Sequence, residues 1–189
     1  METTVLLVRH AESSVHLGEE RTRGLTAQGL EDVRRLTAGL RQTHIDAVIS
    51  SPYARAVLTV QGIADDRGLP VLAVEEWRER RLHGEDVSLP KEAFLAAIGR
   101  SFADPDEALP GGESLREAQA RGLLALRELL REYRGGTIAV GTHGNLMVML
   151  LRAFDARYDY AFWQRLSMPD VYRLTFGEDK LMGVERQWN

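Results

Sequence analysis

Residues Val5 to Ser13 read VLLVRHAES, and this stretch decides the fold. Four apolar residues run straight into an arginine, a histidine and, after Ala11, a carboxylate. A continuous apolar run of this length reads as a strand buried on both faces, as in the middle of a parallel sheet. Open α/β sheets bind ligands at the carboxyl ends of such strands, so Arg9 and His10 are expected at the lip of a pocket. Arg9 offers a planar fork of donors for an oxyanion. His10 offers a nitrogen that is neutral at physiological pH. Alone the signal is weak, because a histidine ending a strand is more often a structural residue.

The rest of the composition narrows the chemistry. The chain has 189 residues, a length that suits one domain with a sizeable core. Net charge is −4, from 24 Lys and Arg against 28 Asp and Glu, so no nucleic-acid footprint is expected. There is no cysteine, which removes disulfides, thiolate metal sites and cysteine-nucleophile chemistry together. The opening METTVLLVRH lacks a basic and then apolar leader, so no signal peptide and a cytoplasmic location are expected. No apolar run approaches the ~20 residues of a membrane span.

Outward from the first strand, hydrophobic spacing alternates between strand and helix. Ser14 to Arg23 reads as a polar loop. Thr26 is a plausible helix cap, with Leu30, Val33, Leu36 and Leu40 following at helical spacing. Ile45 to Ile49 is a second strand. Ser50-Ser51-Pro52 reads as a helix start, a hydroxyl cap with proline in the first turn, and that helix runs to Gly68. Pro70 to Val74 is a third strand, and Glu75 to Gly84 is charged and irregular. Lys91 to Phe102 is a short helix, followed by a proline- and glycine-punctuated loop to Gly112. Glu113 to Tyr133 is a long amphipathic helix, with Leu115, Ala118, Gly122, Leu126, Leu129 and Tyr133 on one face. Thr137 to Val140 is a fourth strand, and Leu146 to Phe154 is a helix apolar on every side. Val171 to Phe176 and Leu181 to Arg186 make a closing hairpin. This order predicts a mostly parallel α/β sheet with antiparallel strands at the end, in one domain over residues 1–189.

Three strand-to-helix corners carry residues that grip anions: Arg9-His10, then Ser50 to Arg55, then Thr142-His143-Gly144. If the strands are parallel, all three lie on one sheet edge, and two bring helix N-termini whose N–H groups favour phosphate. Each piece alone has an ordinary structural reading. Together they describe an oxyanion pocket, and no Walker loop is present.

The set VLLVRHAES, LTAQG (Leu25 to Gly29), SSPYARAVLT (Ser50 to Thr59), PGGES (Pro110 to Ser114) and GTHGN (Gly141 to Asn145) resembles the histidine phosphatase superfamily, in its phosphoglycerate mutase-like branch. The motifs fall in the family order over nearly the whole chain. The resemblance implies a three-layer α/β/α sandwich, with about 76–112 forming a short lid-like insertion. It implies that His10 takes the phosphoryl group, that Arg9, Arg55 and His143 hold its oxygens, and that Glu79 protonates the leaving oxygen, with Glu75 and Glu76 as rivals. Glu12 is expected to act only through its neighbours. Ser13, Arg21, Arg23, Ser114 and Asn145 are candidates for substrate contact. Arg80, Arg81 and Lys91 could add positive charge outside, and Trp77 and Phe94 an apolar wall.

The chain departs from the family pattern in places. Ala11 stands where glycine is common, Val15 and His16 where asparagine often follows, and the segments after Gly24 and over Gly84 to Gly112 are short. An open pocket favours hydrolysis over mutase chemistry, which benefits from a lid that excludes water. The expected activity is therefore hydrolysis of small phosphorylated metabolites, with no cofactor and no metal. The alternatives are a cofactor-dependent phosphoglycerate mutase, a silent phospho-ligand binder, or a metal hydrolase using His10, Glu12 and His143. Oligomeric state stays open, a homodimer through an exposed sheet edge being one option.

Overall fold

A computed structural model describes residues 1–14, 19–84 and 87–188. The expectations attached to Val15, His16 and Gly18 lie outside them. Six strands form one sheet: β1 (Glu2–Arg9), β2 (Ala47–Ser50), β3 (Val71–Ala73), β4 (Thr137–Thr142), β5 (Asp170–Gly177) and β6 (Lys180–Arg186). Their order is β3-β2-β4-β1-β5-β6. The first four are mutually parallel, and β5 and β6 run antiparallel, as the sequence pattern predicts. Among the described residues no helix is long and apolar enough to cross a membrane.

The run in β1 is apolar throughout because both faces of the sheet are covered. Val5, Leu6, Leu7 and Val8 are fully buried. Leu6 and Val8 pack with Leu36, Leu40, Val60 and Ile63, from α1 (Ala27–Leu40) and α2 (Ala54–Asp65). Val5 and Leu7 pack with Leu126, Leu129, Leu146 and Leu150, from α4 (Leu115–Glu132) and α5 (Gly144–Phe154). Each such side chain contributes roughly 1.5–3 kcal/mol by leaving water. The continuous pattern and the three layers are one fact. In α5, Leu146 and Leu150 face the sheet, while Val148 and Met149 pack against Ile98 and Phe102 of α3 (Lys91–Ala103). That explains why α5 is apolar on every side.

Several details differ from expectation. Leu30 is 46% exposed, and the inner face of α1 uses Gly29, Asp32, Leu36 and Leu40. Gly29 is required there, because a Cβ would stand 2.2 Å from the Glu12 carbonyl oxygen. α2 does not begin at the serines: Tyr53 is its N-cap and contributes no side-chain bond. A five-residue helix, α6 (Tyr160–Gln164), capped by Asp159, was not legible because none of its residues is buried and periodicity has nothing to act on. Trp77 is core rather than pocket wall, and Arg80 is buried against Ser101 and the Glu113 carbonyl.

Candidate active site

Strand register places the three corners side by side. Arg9 pairs with Thr142, and Ser50 pairs with Gly141. One residue further on, the His10 N–H donates to the Thr142 carbonyl at 3.0 Å and the Ser51 N–H to the Gly141 carbonyl at 2.8 Å. His10, Ser51 and His143 thus leave one sheet edge from adjacent strands. The rings of His10 and His143 stand 5.3 Å apart at 62°, and Tyr53 closes on His143 at 5.1 Å.

His10 Nδ1 lies 2.8 Å from the Ala11 carbonyl oxygen. A carbonyl only accepts, so Nδ1 carries the proton and Nε2 keeps its lone pair. Ala11 is itself held by its N–H on Thr59 Oγ1 at 2.9 Å. Burial, foremost, and then the Arg55 charge push the His10 pKa well below its ordinary value, against the smaller upward pull of the Ala11 carbonyl. Burial does the same for His143, with His10 and Arg55 adding to it. Both imidazoles are therefore neutral at physiological pH.

The arginines surround this pair. Arg9 gives Nη1 to the carbonyls of Leu166 and Ser167, which anchors its guanidinium, while Nε has no partner among the described residues. Gly144 makes room for it: a Cβ there would lie 3.0 Å from Arg9 Nε. Arg55 is 1% exposed and rests over the Tyr53 ring. Its Nη1 and Nη2 meet the Glu20 carbonyl at 2.5 Å and the Glu20 carboxylate at 3.0 Å, and its Nε is unpartnered. Among the described residues, Arg9 Nε, Arg55 Nε, His143 Nδ1 and Asn145 Oδ1 are buried without a partner, as are Thr37 Oγ1 and Trp163 Nε1 elsewhere in the chain.

Of the three glutamates, Glu79 lies at this edge. Its carboxylate accepts from the N–H groups of Arg80, Asn145 and Leu146, at 2.8, 3.2 and 3.1 Å, over the N-terminus of α5. Glu75 is exposed and bonded to Arg21, and Glu76 is exposed. Glu12 holds the hydroxyl of Thr26 at 2.7 Å, supporting the α1 cap. Arg23 donates to Ser13 Oγ and to Glu20, and its charge is felt by His10. Arg21 lies over Tyr53. The Ser114 hydroxyl accepts from Glu117 N at 3.1 Å in a capping box of α4, a structural use that the sequence reading did not give it. Sequence reading missed Ser51, Tyr53 and Glu20 as site residues. SSPYAR carries the signal for the first two, but a serine before a proline reads as a helix cap just as well. Among the described residues no group of three His, Cys, Asp or Glu could hold a metal ion, so the His10–Glu12–His143 metal set does not assemble.

The chain thus presents a neutral imidazole with the guanidiniums of Arg9 and Arg55 near it, at the carboxyl edge of a mainly parallel sheet. The chain belongs to the histidine phosphatase superfamily (branch 1), whose family model matches residues 5–188. It is 30% identical to a 2,3-bisphosphoglycerate-dependent phosphoglycerate mutase of Brucella ovis, covering 92% of this chain and 93% of that one. Its fold matches a mycobacterial glucosyl-3-phosphoglycerate phosphatase with a TM-score of 0.75 at 20% identity, covering 98% and 97% of the two chains. It also matches a mutant phosphoserine phosphatase from Entamoeba histolytica, in complex with phosphoserine, with a TM-score of 0.70 at 18% identity, covering 96% of each.

Proposed function

We propose that the protein is a phosphomonoesterase that hydrolyses small phosphorylated metabolites through a phosphohistidine on His10. One observation carries the reading: partnerless buried nitrogens of Arg9, Arg55 and His143 surround an imidazole whose Nε2 lone pair is free. Phosphate-monoester hydrolysis is among the slowest reactions in water, so splitting it into two displacements helps. His10 Nε2 attacks phosphorus, the bond from phosphorus to the ester oxygen breaks, and that oxygen takes the proton of Glu79, which enters the cycle as the carboxylic acid. Water then attacks phosphorus and gives a proton to the Glu79 carboxylate, the phosphorus–nitrogen bond breaks, and phosphate and the free imidazole leave. The loose transition state spreads charge over three peripheral oxygens, and donors already fixed there reorganise little as charge develops.

Glu20 holds Arg55 before substrate arrives. Its side chain is 59% exposed and can swing into solvent, so in this reading a phosphate oxygen takes its place on the buried guanidinium. We read residues 76–112 as a short lid-like insertion of a single 1–189 domain, supported by the packing of Leu82, Ile98 and Phe102 against α4 and α5.

Identity to the mutases favours a second reading, in which the phosphoryl group returns to another hydroxyl of the substrate. The test is a metabolite panel, run on wild type and His10→Ala, with 3-phosphoglycerate conversion followed with and without 2,3-bisphosphoglycerate. Phosphate release that His10→Ala abolishes supports hydrolysis. Isomer formation outpacing phosphate release supports the mutase, and no turnover by wild type supports a silent binder.

A further inference from the structure

Ser51 is fully buried in the β2–α2 corner. Its Oγ accepts the Tyr53 N–H at 3.2 Å and lies 2.8 Å from His143 Nε2. The hydroxyl has one proton to place, and His143 Nε2 is the acceptor bonded to it among the described residues. If Nε2 carried the ring proton, two donors would face each other or the hydroxyl proton would be left buried without an acceptor. Each tautomer makes two bonds here and leaves one buried donor unpaired: the Ser51 hydroxyl if Nε2 is protonated, Nδ1–H if the hydroxyl donates to Nε2. His143 Nδ1 is buried and has no partner among the described residues, so an oxyanion beside it completes the set only in the second case.

We propose that Ser51 is a positioning residue, which fixes His143 in the tautomer that presents an Nδ1–H donor to an oxyanion seated beside His10. The choice of tautomer rests on an oxyanion at Nδ1, and the anion's identity as a phosphoryl group rests on the function proposed above. The arrangement makes His143 a donor without making it a cation. A charged imidazolium would draw the anion too, but it would have to be formed beside Arg9 and Arg55. A neutral donor locked by a serine avoids that cost and still supplies one directed bond.

The test uses the full chain labelled with 15N-histidine, with the His143 signals assigned by their loss in His143→Gln. Long-range proton–nitrogen correlations are recorded for wild type, Ser51→Ala and Ser51→Thr, with and without inorganic phosphate. The expected wild-type pattern is a protonated Nδ1 and a bare Nε2. Ser51→Ala is expected to lose that single tautomer and to bind inorganic phosphate roughly tenfold more weakly, the scale of one hydrogen bond to an anion. Ser51→Thr keeps the hydroxyl and is expected to restore both. A protonated Nε2 in wild type, or an unchanged tautomer in Ser51→Ala, overturns the proposal. Should Ser51→Ala fail to fold, the wild-type spectrum decides the tautomer by itself. Inorganic phosphate that leaves the wild-type His143 signals unmoved would count against the phosphoryl reading, and the tautomer would still be decided by the spectrum without it.

Discussion

His10 is kept neutral, which the proposed attack on phosphorus requires. Burial and the neighbouring arginines lower its pKa, so its Nε2 lone pair survives into mildly acidic solution. The acid limb of kcat/KM, corrected for ionisation of the substrate, is therefore expected well below the ordinary histidine value of about 6.5. A limb at that value would mean an exposed, unassisted imidazole. Gly144 is the other single-residue test. A Cβ there meets the Arg9 guanidinium at 3.0–3.2 Å, so Gly144→Ala is expected to displace it and lower kcat/KM by roughly tenfold or more, with a native melting curve. The places of Arg9, His10 and His143 at strand ends were readable from RHAES and GTHGN, because each follows an apolar run directly, whereas the roles proposed for them come from the family resemblance. Ser51 was harder, since a hydroxyl before a helix has the same local signature whether it caps a backbone or holds an imidazole. Only the β2–β4 register distinguishes the two.

At the scale of elements, the hydroxyl caps divide. Thr26 caps α1 as its sequence suggests, through the N–H of Gly29 at 3.0 Å. Ser114 caps α4 although it stands in a motif associated with the site. Ser114→Ala is expected to cost about 1 kcal/mol of stability in denaturant unfolding while leaving kcat/KM within twofold. A large loss of activity at unchanged stability would return Ser114 to the substrate. The segment carrying Glu20 was read as a plain polar loop, because a surface glutamate has no periodicity to betray it and its partner, Arg55, lies 35 positions away. Replacing it by Gln removes the charge that competes with substrate on Arg55. Glu20→Gln is expected to lower KM about two- to fivefold in steady-state assays, the size of an exposed ion pair; an increase in KM would show that Glu20 helps to hold substrate.

Across the whole molecule, the sheet was legible because strands and helices alternate with clear punctuation, and the doubly buried β1 admits few other architectures. The pairing order was not in the sequence, and with it went the adjacency of the three corners. The same two buried histidines shape the stability of the fold. Their native pKa values are lowered, so below about pH 6.5 the unfolded chain takes up protons that the native state refuses. Stability is expected to be level above that pH and to fall beneath it, by at most about 1.4 kcal/mol per pH unit for each histidine. Urea unfolding between about pH 7 and about pH 5 measures this, and a flat profile would contradict the burial of neutral imidazoles. The covalent step on His10 is tested by rapid quenching without acid. Turnover of a 32P-labelled phosphomonoester is stopped in base, and the label is mapped by peptide. An acid-labile, base-stable phosphoryl group on His10 in wild type, absent from His10→Ala together with turnover, is the predicted result. Full turnover with no label on His10, or turnover that persists in His10→Ala, would contradict it.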